Sequence, residues 1–313
     1  MPKVVISEFM DEAAIAAELS GFDTLYDPGL VDRPEDLVAA IRDADALIVR
    51  NRTQVRGGLI AAAPDLKVVG RLGVGLDNID VAACAARGIA VHPATGANDG
   101  AVAEYVIGTA MLLLRGAYGA TARVAAGAWP RNALMGREIA GKRLGLVGFG
   151  AIARETARRA AALGMSLSAH DPFVDSGDPA WSPGYGPVEN CGLDALIAES
   201  DVLSLHVPLT DGTRGLIGAD AIARMRKGAI LINAARGGVV DEAAVASALR
   251  AGHLGGAALD VFEREPLDAE AGAAFGGVPN LILTPHIAGV TVESNVRVSA
   301  VTARAVRRHL TEA

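Results

Sequence analysis

Between Leu144 and Ala153 the chain passes from the apolar run Leu144-Gly145-Leu146-Val147 directly into Gly148-Phe149-Gly150-Ala151-Ile152-Ala153. An Ala/Arg-rich helical stretch follows. Two glycines at the junction of a buried strand and a helix constrain the fold strongly. Gly148 permits the tight turn, Gly150 lets the backbone approach a pyrophosphate, and Ala153 takes the third small position where helix meets strand. The helix N-terminus offers N–H groups and a positive dipole end to the phosphates. Asp171 closes the next expected strand 23 residues on (171 − 148), where a carboxylate can bind ribose hydroxyls. A carboxylate there repels a 2′-phosphate, so the pattern points to NAD rather than NADP.

The fingerprint lies mid-chain, with strand–helix alternation on both sides of it. Val4–Ile6, Ala46–Val49, Lys67–Val69 and Ile89–Val91 precede it as short apolar strand candidates. Leu144–Val147, Met165–Ala169, Val202–Leu205, Ile230–Asn233 and Ala257–Leu259 form the second round. Asp11 reads as the N-cap of a first helix and Pro34 as the first turn of a second. Such alternation predicts the α/β class, with parallel sheets covered by helices on both faces. At 313 residues the chain is twice the usual domain size, which fits two Rossmann-like doubly wound domains. The helical segment Thr291–Leu310 is expected to pack back on the first unit and make it discontinuous. The expected division is 1–98 with 288–313, and 99–287. Asp99 to about Gly127 is apolar nearly all the way round, which suits a helix buried between domains, between subunits or in an ordinary core. The Gly/Pro/Ser-rich stretch Asp175–Asn190 reads as a surface excursion without assignable chemistry.

Composition removes several function classes. The net charge of −7 offers no basic surface to nucleic acid or an anionic membrane, and 4% aromatic residues make a poor base-stacking platform. The near-continuous apolar run Tyr105–Leu114 is about half a membrane span, and the opening residues reach Glu8 too soon for a signal peptide. Cys84 and Cys191 are far apart, with no CxxC pattern, so neither a disulfide framework nor a metal site is expected. The expectation is a soluble, cytoplasmic protein with a small-molecule partner.

Three further segments carry chemistry. Arg236 follows the buried run Ile232-Asn233, Asp260-Val261-Phe262-Glu263-Arg264-Glu265-Pro266 ends another strand in acids, and His286 follows Leu283-Thr284-Pro285. In an open α/β sheet, ligands bind outside the carboxyl ends of the strands, where all three are expected. Arg236 can fork onto a carboxylate, His286 can exchange a proton near neutral pH, and Glu265 can fix and charge the imidazole.

Together with His206-Val207-Pro208-Leu209-Thr210, these segments resemble the D-isomer-specific 2-hydroxyacid dehydrogenases over essentially the whole chain. The run Gly70-Arg71-Leu72-Gly73-Val74-Gly75-Leu76-Asp77-Asn78-Ile79-Asp80 is very similar to the 3-phosphoglycerate dehydrogenase branch. The resemblance implies that the 1–98/288–313 unit is the substrate domain and 99–287 the NAD-binding domain. It implies that His286 takes the C2 hydroxyl proton as hydride passes to nicotinamide, that Glu265 holds the imidazole and raises its pKa, and that Arg236 binds the substrate carboxylate. Asp260 is expected at the nicotinamide carboxamide and His206 with Pro208 on the adenine side. Ala151, Ile152, Thr213 and Ala234 are expected to complete the NAD site. The N–H groups of Val74 and Gly75 are expected to form a carboxylate nest. Family members dimerise through their nucleotide-binding domains, so a homodimer is expected, with the Asp99–Gly127 stretch and Trp129 at the interface.

Arg50, Asn51, Arg52 and Asn98, with Arg71 nearby, lie in segments resembling the substrate loops of the family. Several cations there suggest an anionic group on C3, phosphate or sulfonate; surface ion pairs are the alternative. Asn51 stands where the phosphoglycerate branch usually has serine, and no extension follows Ala313 to form that branch's regulatory domain. The opening Ile6-Ser7-Glu8-Phe9-Met10-Asp11-Glu12 and the loop Asn51-Arg52-Thr53-Gln54 resemble the sulfolactate dehydrogenase offshoot. Its stereochemistry is compatible, because sulfur outranks the carboxylate and the spatially D-type centre of 3-sulfolactate is named S. A generalist glyoxylate/hydroxypyruvate reductase and a non-catalytic NAD sensor are the competing expectations.

Overall fold

A computed structural model describes residues 1–312. The short apolar runs form strands because neighbouring strands and covering helices bury them on both faces. In the first unit these are β1 (Lys3–Ile6), β2 (Asp23–Tyr26), β3 (Ala46–Val49), β4 (Val68–Arg71) and β5 (Ala90–Pro93). They pair in parallel in the order β2-β1-β3-β4-β5. β2 escapes sequence reading because it is an edge strand whose residues, Asp-Thr-Leu-Tyr, alternate between exposed and half-buried. The Asp11 carboxylate accepts from Ala14 N at 2.8 Å and starts the helix Glu12–Leu19.

The C-terminal helix Val292–Glu312 belongs to this unit. Val298, Ala303 and Val306 share one core with Val4, Ile6, Ile48 and Val68. Gly70 permits that approach, since a β-carbon on it would lie 2.7 Å from Val306 Cγ2 and 2.8 Å from Thr302 Cγ2. The unit comprises Met1–Asn98 and the segment from Val290 onward, so its second boundary falls two residues beyond the expected position (290 against 288).

The second unit, Asp99–Gly289, holds seven parallel strands. They are β6 (Arg143–Val147), β7 (Ser166–His170), β8 (Glu189–Asn190), β9 (Val202–Leu205), β10 (Ile230–Asn233), β11 (Gly256–Leu259) and β12 (Leu281–Leu283). The order β12-β11-β10-β9-β6-β7-β8 reverses direction at β6, which places a topological switch point between the carboxyl ends of β6 and β9.

Two expectations need correction. The apolar stretch from Asp99 is not one helix to Gly127: the helix ends at Arg115, and Gly116 turns the chain at φ +63. Most of the following residues to Gly127 are exposed. The stretch Asp175–Asn190 is not a mere surface excursion. Its Trp181 is 6% exposed, belongs to the main core cluster and stacks on Phe149 of the fingerprint, with ring centroids 4.8 Å apart. No single helix among the described residues is long and apolar enough to cross a membrane; the bent pair Asp99–Arg115 and Tyr118–Ala125 meets that test only together.

Candidate active site

β6 ends at Val147, whose register partner on β9 is Leu205. The next residues, Gly148 and His206, are consequently neighbours. Gly148 has φ +87, and a β-carbon on it would lie 2.6 Å from the His206 carbonyl oxygen, so both conformation and space require glycine. Gly150 caps the helix Ala151–Ala162 without a side-chain partner and has open space where a β-carbon would stand. Ala151 and Ile152 open that helix, leaving their amides for an anion. Asp171 Oδ2 accepts from Phe149 N at 2.8 Å and Oδ1 from Phe173 N at 2.9 Å, which leaves each oxygen a further lone pair.

On the β9 side, His206 Nε2 lies 3.0 Å from Ser204 Oγ, and burial pushes the imidazole down to about 4, so it is neutral at neutral pH. Thr213 turns its hydroxyl inward, donating to Pro208 O at 2.6 Å and accepting from Thr210 N at 2.8 Å. It acts there as a stitch across the Pro208–Thr213 loop.

The chemical groups follow three adjacent strands. Asn233 pairs with Leu259, and Leu259 with Leu283, so the loops after β10, β11 and β12 leave the sheet side by side. Buried Asn233 shapes the first loop: its Nδ2 donates to Arg236 O at 2.9 Å and its Oδ1 accepts from Ala235 N at 3.1 Å. Ala234 is half-buried at this turn, and Arg236 Nη1 donates to Ala235 O at 2.5 Å. From the loop after β11, Glu265 Oε1 accepts from Phe262 N at 2.9 Å and Oε2 lies 2.7 Å from His286 Nδ1. Burial opposes ionisation of Glu265. The hydrogen bonds from His286 and Phe262 N–H, with the charges of His286 and Arg236, outweigh it and hold the carboxyl below its ordinary value.

His286 itself has φ +55, a left-handed conformation that costs a non-glycine residue on the order of 1–2 kcal/mol. The backbone is held there by His286 N donating to Asp260 O at 2.7 Å. Asp260, expected at the nicotinamide carboxamide, also ties the following loop together. It is 1% exposed, and its carboxylate accepts from Thr284 Oγ1 (2.6 Å), Ile287 N (2.9 Å) and Ala288 N (2.8 Å). The Tyr105 hydroxyl in turn lies 2.7 Å from Thr284 Oγ1.

In the first unit the switch point falls between β1 and β3, and there Glu8 meets the loop Arg50–Thr53. The Glu8 carboxylate is 4% exposed and accepts from the amides of Arg50 (2.9 Å), Asn51 (3.3 Å), Arg52 (3.1 Å) and Thr53 (3.0 Å). Asn78 Nδ2 holds the loop from its other side, donating to Thr53 O at 2.7 Å. The two arginines diverge. Arg52 pairs with Asp32, both side chains being more than half exposed. Arg50 is half-buried, donates to the neutral Asn295 Oδ1 at 2.7 Å, lies 6.0 Å over the Phe9 ring and, among the described residues, has no carboxylate within ion-pair distance. Among the described residues, the N–H groups of Val74 and Gly75 have no partner, and the buried Asn98 Oδ1 has none. No group of three or more His, Cys, Asp or Glu among those residues could hold a metal ion.

Glu8, Asn78, Asn295, Tyr105, Asn233 and Trp181 were not singled out as site residues from the sequence. For Asn233 the signal was its place at the end of a buried strand; for Tyr105 and Asn295 no local signal exists.

Fold and site define an oxidoreductase built on a doubly wound dinucleotide-binding sheet. A family profile for the D-isomer specific 2-hydroxyacid dehydrogenase NAD binding domain matches residues 107–288. The (S)-sulfolactate dehydrogenase of Chromohalobacter salexigens is 56% identical over 311 residues, 99% of each chain. The D-3-phosphoglycerate dehydrogenase of Mycobacterium leprae is 39% identical over 98% of this chain but only 56% of its own length. Among solved structures, the D-lactate dehydrogenase of Aquifex aeolicus complexed with NAD and lactic acid superposes with a TM-score of 0.85, at 27% identity, covering 99% of this chain and 96% of that one. The chain belongs to the D-isomer specific 2-hydroxyacid dehydrogenase family, and it is an NAD-dependent D-2-hydroxyacid dehydrogenase. The residues present fit NAD: the helix N-terminus at Gly150, with no side-chain cap, suits a pyrophosphate, and the lone pairs of Asp171 suit ribose hydroxyls and disfavour a 2′-phosphate.

Proposed function

We propose that this dehydrogenase acts on a three-carbon 2-hydroxy acid with an anionic C3 group, (S)-3-sulfolactate first and 3-phosphoglycerate as the second member of the class. The observation that carries the substrate reading is the contrast between Arg50 and Arg52. Arg52 has its counter-ion in Asp32, whereas Arg50 is a half-buried cation whose hydrogen-bond partner is a neutral amide. A guanidinium so placed is suited to a planar or tetrahedral oxyanion. The 56% identity to an (S)-sulfolactate dehydrogenase over both whole chains supports the same assignment.

In this reading NAD, when bound, supplies the hydride acceptor. Because His286 Nδ1 is held by Glu265, its Nε2 is the ring nitrogen that takes the C2 hydroxyl proton in oxidation and returns it in reduction. Glu265 keeps the imidazole in the productive tautomer and orientation. Arg236 binds the substrate carboxylate and polarises the C2 oxygen, and the amides of Val74 and Gly75 add neutral donors to a carboxylate. We assign the homodimer on separate grounds: Tyr118, Trp129 and Met135, all mostly exposed, follow the helix Asp99–Arg115, and Tyr118 lines a hollow of about 480 Å³ together with Leu112 and Leu281. Light scattering that gives a monomer removes that assignment.

The deciding experiment is NADH formation by the purified protein with NAD and a panel of 3-phosphoglycerate, racemic 3-sulfolactate, glycerate, lactate and malate, with NADP as control. Strong preference for sulfolactate or phosphoglycerate is expected. Preference for the uncharged acids identifies a generalist reductase, and NADH binding without turnover identifies a sensor.

A further inference from the structure

We propose that Tyr105 is a positioning residue for the proton-transfer histidine, acting through Thr284 and Asp260; this rests on the assignment of His286 as the acid–base group. No local pattern in the sequence links Tyr105, in the middle of the helix Asp99–Arg115, to residues nearly 180 positions later.

The direction of the chain of hydroxyls follows from counting protons. A carboxylate only accepts, and Thr284 gives its single hydroxyl hydrogen to Asp260 Oδ1 at 2.6 Å. The 2.7 Å contact between Tyr105 and Thr284 therefore has Tyr105 as donor. Burial, opposed by the Thr284 bond and reinforced by the charge of Asp260, pushes the Tyr105 hydroxyl up to about 12, which keeps it protonated over any working pH.

The geometric consequence concerns both ends of the loop bearing His286. Thr284 precedes the histidine and Ile287 and Ala288 follow it, and all three bond to the same buried carboxylate. The loop is thereby wrapped around Asp260, with His286 at its crest in a left-handed conformation it would otherwise leave. Tyr105 fixes the leading end of this wrap to a long helix of the same unit. Without that donor, the Thr284 oxygen loses its incoming bond, Thr284 can rotate, and Asp260 Oδ1 loses its shortest contact. The crest can then relax and carry Nδ1 away from Glu265, where displacements of this kind cost rate rather than substrate binding.

The test compares wild type, Tyr105→Phe, Thr284→Val, Thr284→Ser and the Tyr105→Phe/Thr284→Val double variant. Amide hydrogen exchange at Ile287 and Ala288 is read without nucleotide, and kcat, KM and the NADH Kd are read alongside. Tyr105→Phe is expected to speed exchange at both amides about 10-fold and to lower kcat about 10-fold, with KM and the NADH Kd within about 2-fold of wild type. Thr284→Ser is expected to retain wild-type behaviour, and the double variant to match Thr284→Val alone. Wild-type exchange in Tyr105→Phe, faster exchange with wild-type kcat, or additive losses in the double variant each overturn the proposal. A separate His286→Ala variant keeps the two assignments apart: undiminished turnover there removes the catalytic reading, whereas the exchange data bear on the loop alone.

Discussion

A β-carbon on Gly237 would lie 1.8 Å from the carbonyl oxygen of Phe262 and 2.7 Å from the nitrogen of Glu263. The turn that carries Arg236 therefore rests directly on the backbone that carries Glu265, whose Oε1 is bonded to Phe262 N. Both obstacles are main chain and cannot rotate aside. Gly237→Ala is expected to force the two loops apart, with a loss of roughly 1–3 kcal/mol in stability. Displacing Arg236 and Glu265 together is expected to lower kcat/KM by about 100-fold. Denaturant titration and steady-state kinetics read the two effects, and an alanine variant that matches wild type in both contradicts this packing.

The divergence of Arg50 and Arg52 yields a prediction on specificity. Arg50→Gln is expected to lower kcat/KM for sulfolactate or phosphoglycerate about 10–100-fold, the scale of losing one charge-assisted contact, and to leave lactate or glycerate turnover nearly unchanged. Arg52→Gln removes an exposed pair with Asp32 and is expected to change neither, because such pairs contribute little. Equal losses on charged and uncharged acids would show that Arg50 shapes the loop instead of reading the C3 group.

Much of this architecture is legible in the chain because its strands are short, apolar and buried on both faces, as Ala46–Val49, Val202–Leu205 and Ile230–Asn233 are. Glu189–Asn190 gives no such signal, being two exposed residues at a sheet edge. Through the family resemblance, the acid's place before Pro266 points to the pairing of His286 with Glu265, whereas no local pattern announces the bonds of Asp260 to Thr284, Ile287 and Ala288. A carboxylate near a strand end looks the same in sequence whether or not it ties up amides of the neighbouring loop. The same holds for Glu8, which reads as an acid after a strand and proves to be the anchor of four amides, Arg50 to Thr53. Long-range polar contacts leave no periodicity to detect.

The stacking of Trp181 on Phe149 links a loop that reads in sequence as a surface excursion to nucleotide binding. Phe149 N donates to Asp171, and Arg154 lies 5.4 Å over the Phe149 ring while its Nε donates to Phe149 O at 2.8 Å. Movement of this ring displaces the fingerprint backbone and the ribose acid together. Trp181→Leu keeps an apolar side chain but loses the stack, worth about 0.5–1.5 kcal/mol. NADH affinity is expected to fall about 3–10-fold, measured by nucleotide fluorescence titration, with KM for the hydroxy acid little changed at saturating NAD. A fall in thermal stability with no change in NADH affinity would confine Trp181 to the core.

His206 is one group whose environment makes stability depend on pH in the mildly acidic range. Burial lowers its pKa from the ordinary 6.5 to about 4. Below 6.5 the unfolded chain takes up a proton that the folded imidazole does not. The folded state therefore binds fewer protons, and stability falls as the pH drops from about 6.5 toward 4. By about pH 5 this linkage amounts to a loss on the order of 1–2 kcal/mol relative to neutral pH. His206→Gln removes the titrating group while leaving a polar side chain near Ser204. Its denaturation midpoint is expected to decline less steeply than that of wild type between about pH 7.5 and pH 5, since the titrations of all other groups are common to both proteins. Parallel curves over that range would mean that His206 is protonated in the native state as readily as in the unfolded chain, and that its imidazole is not the neutral, desolvated group beside Gly148.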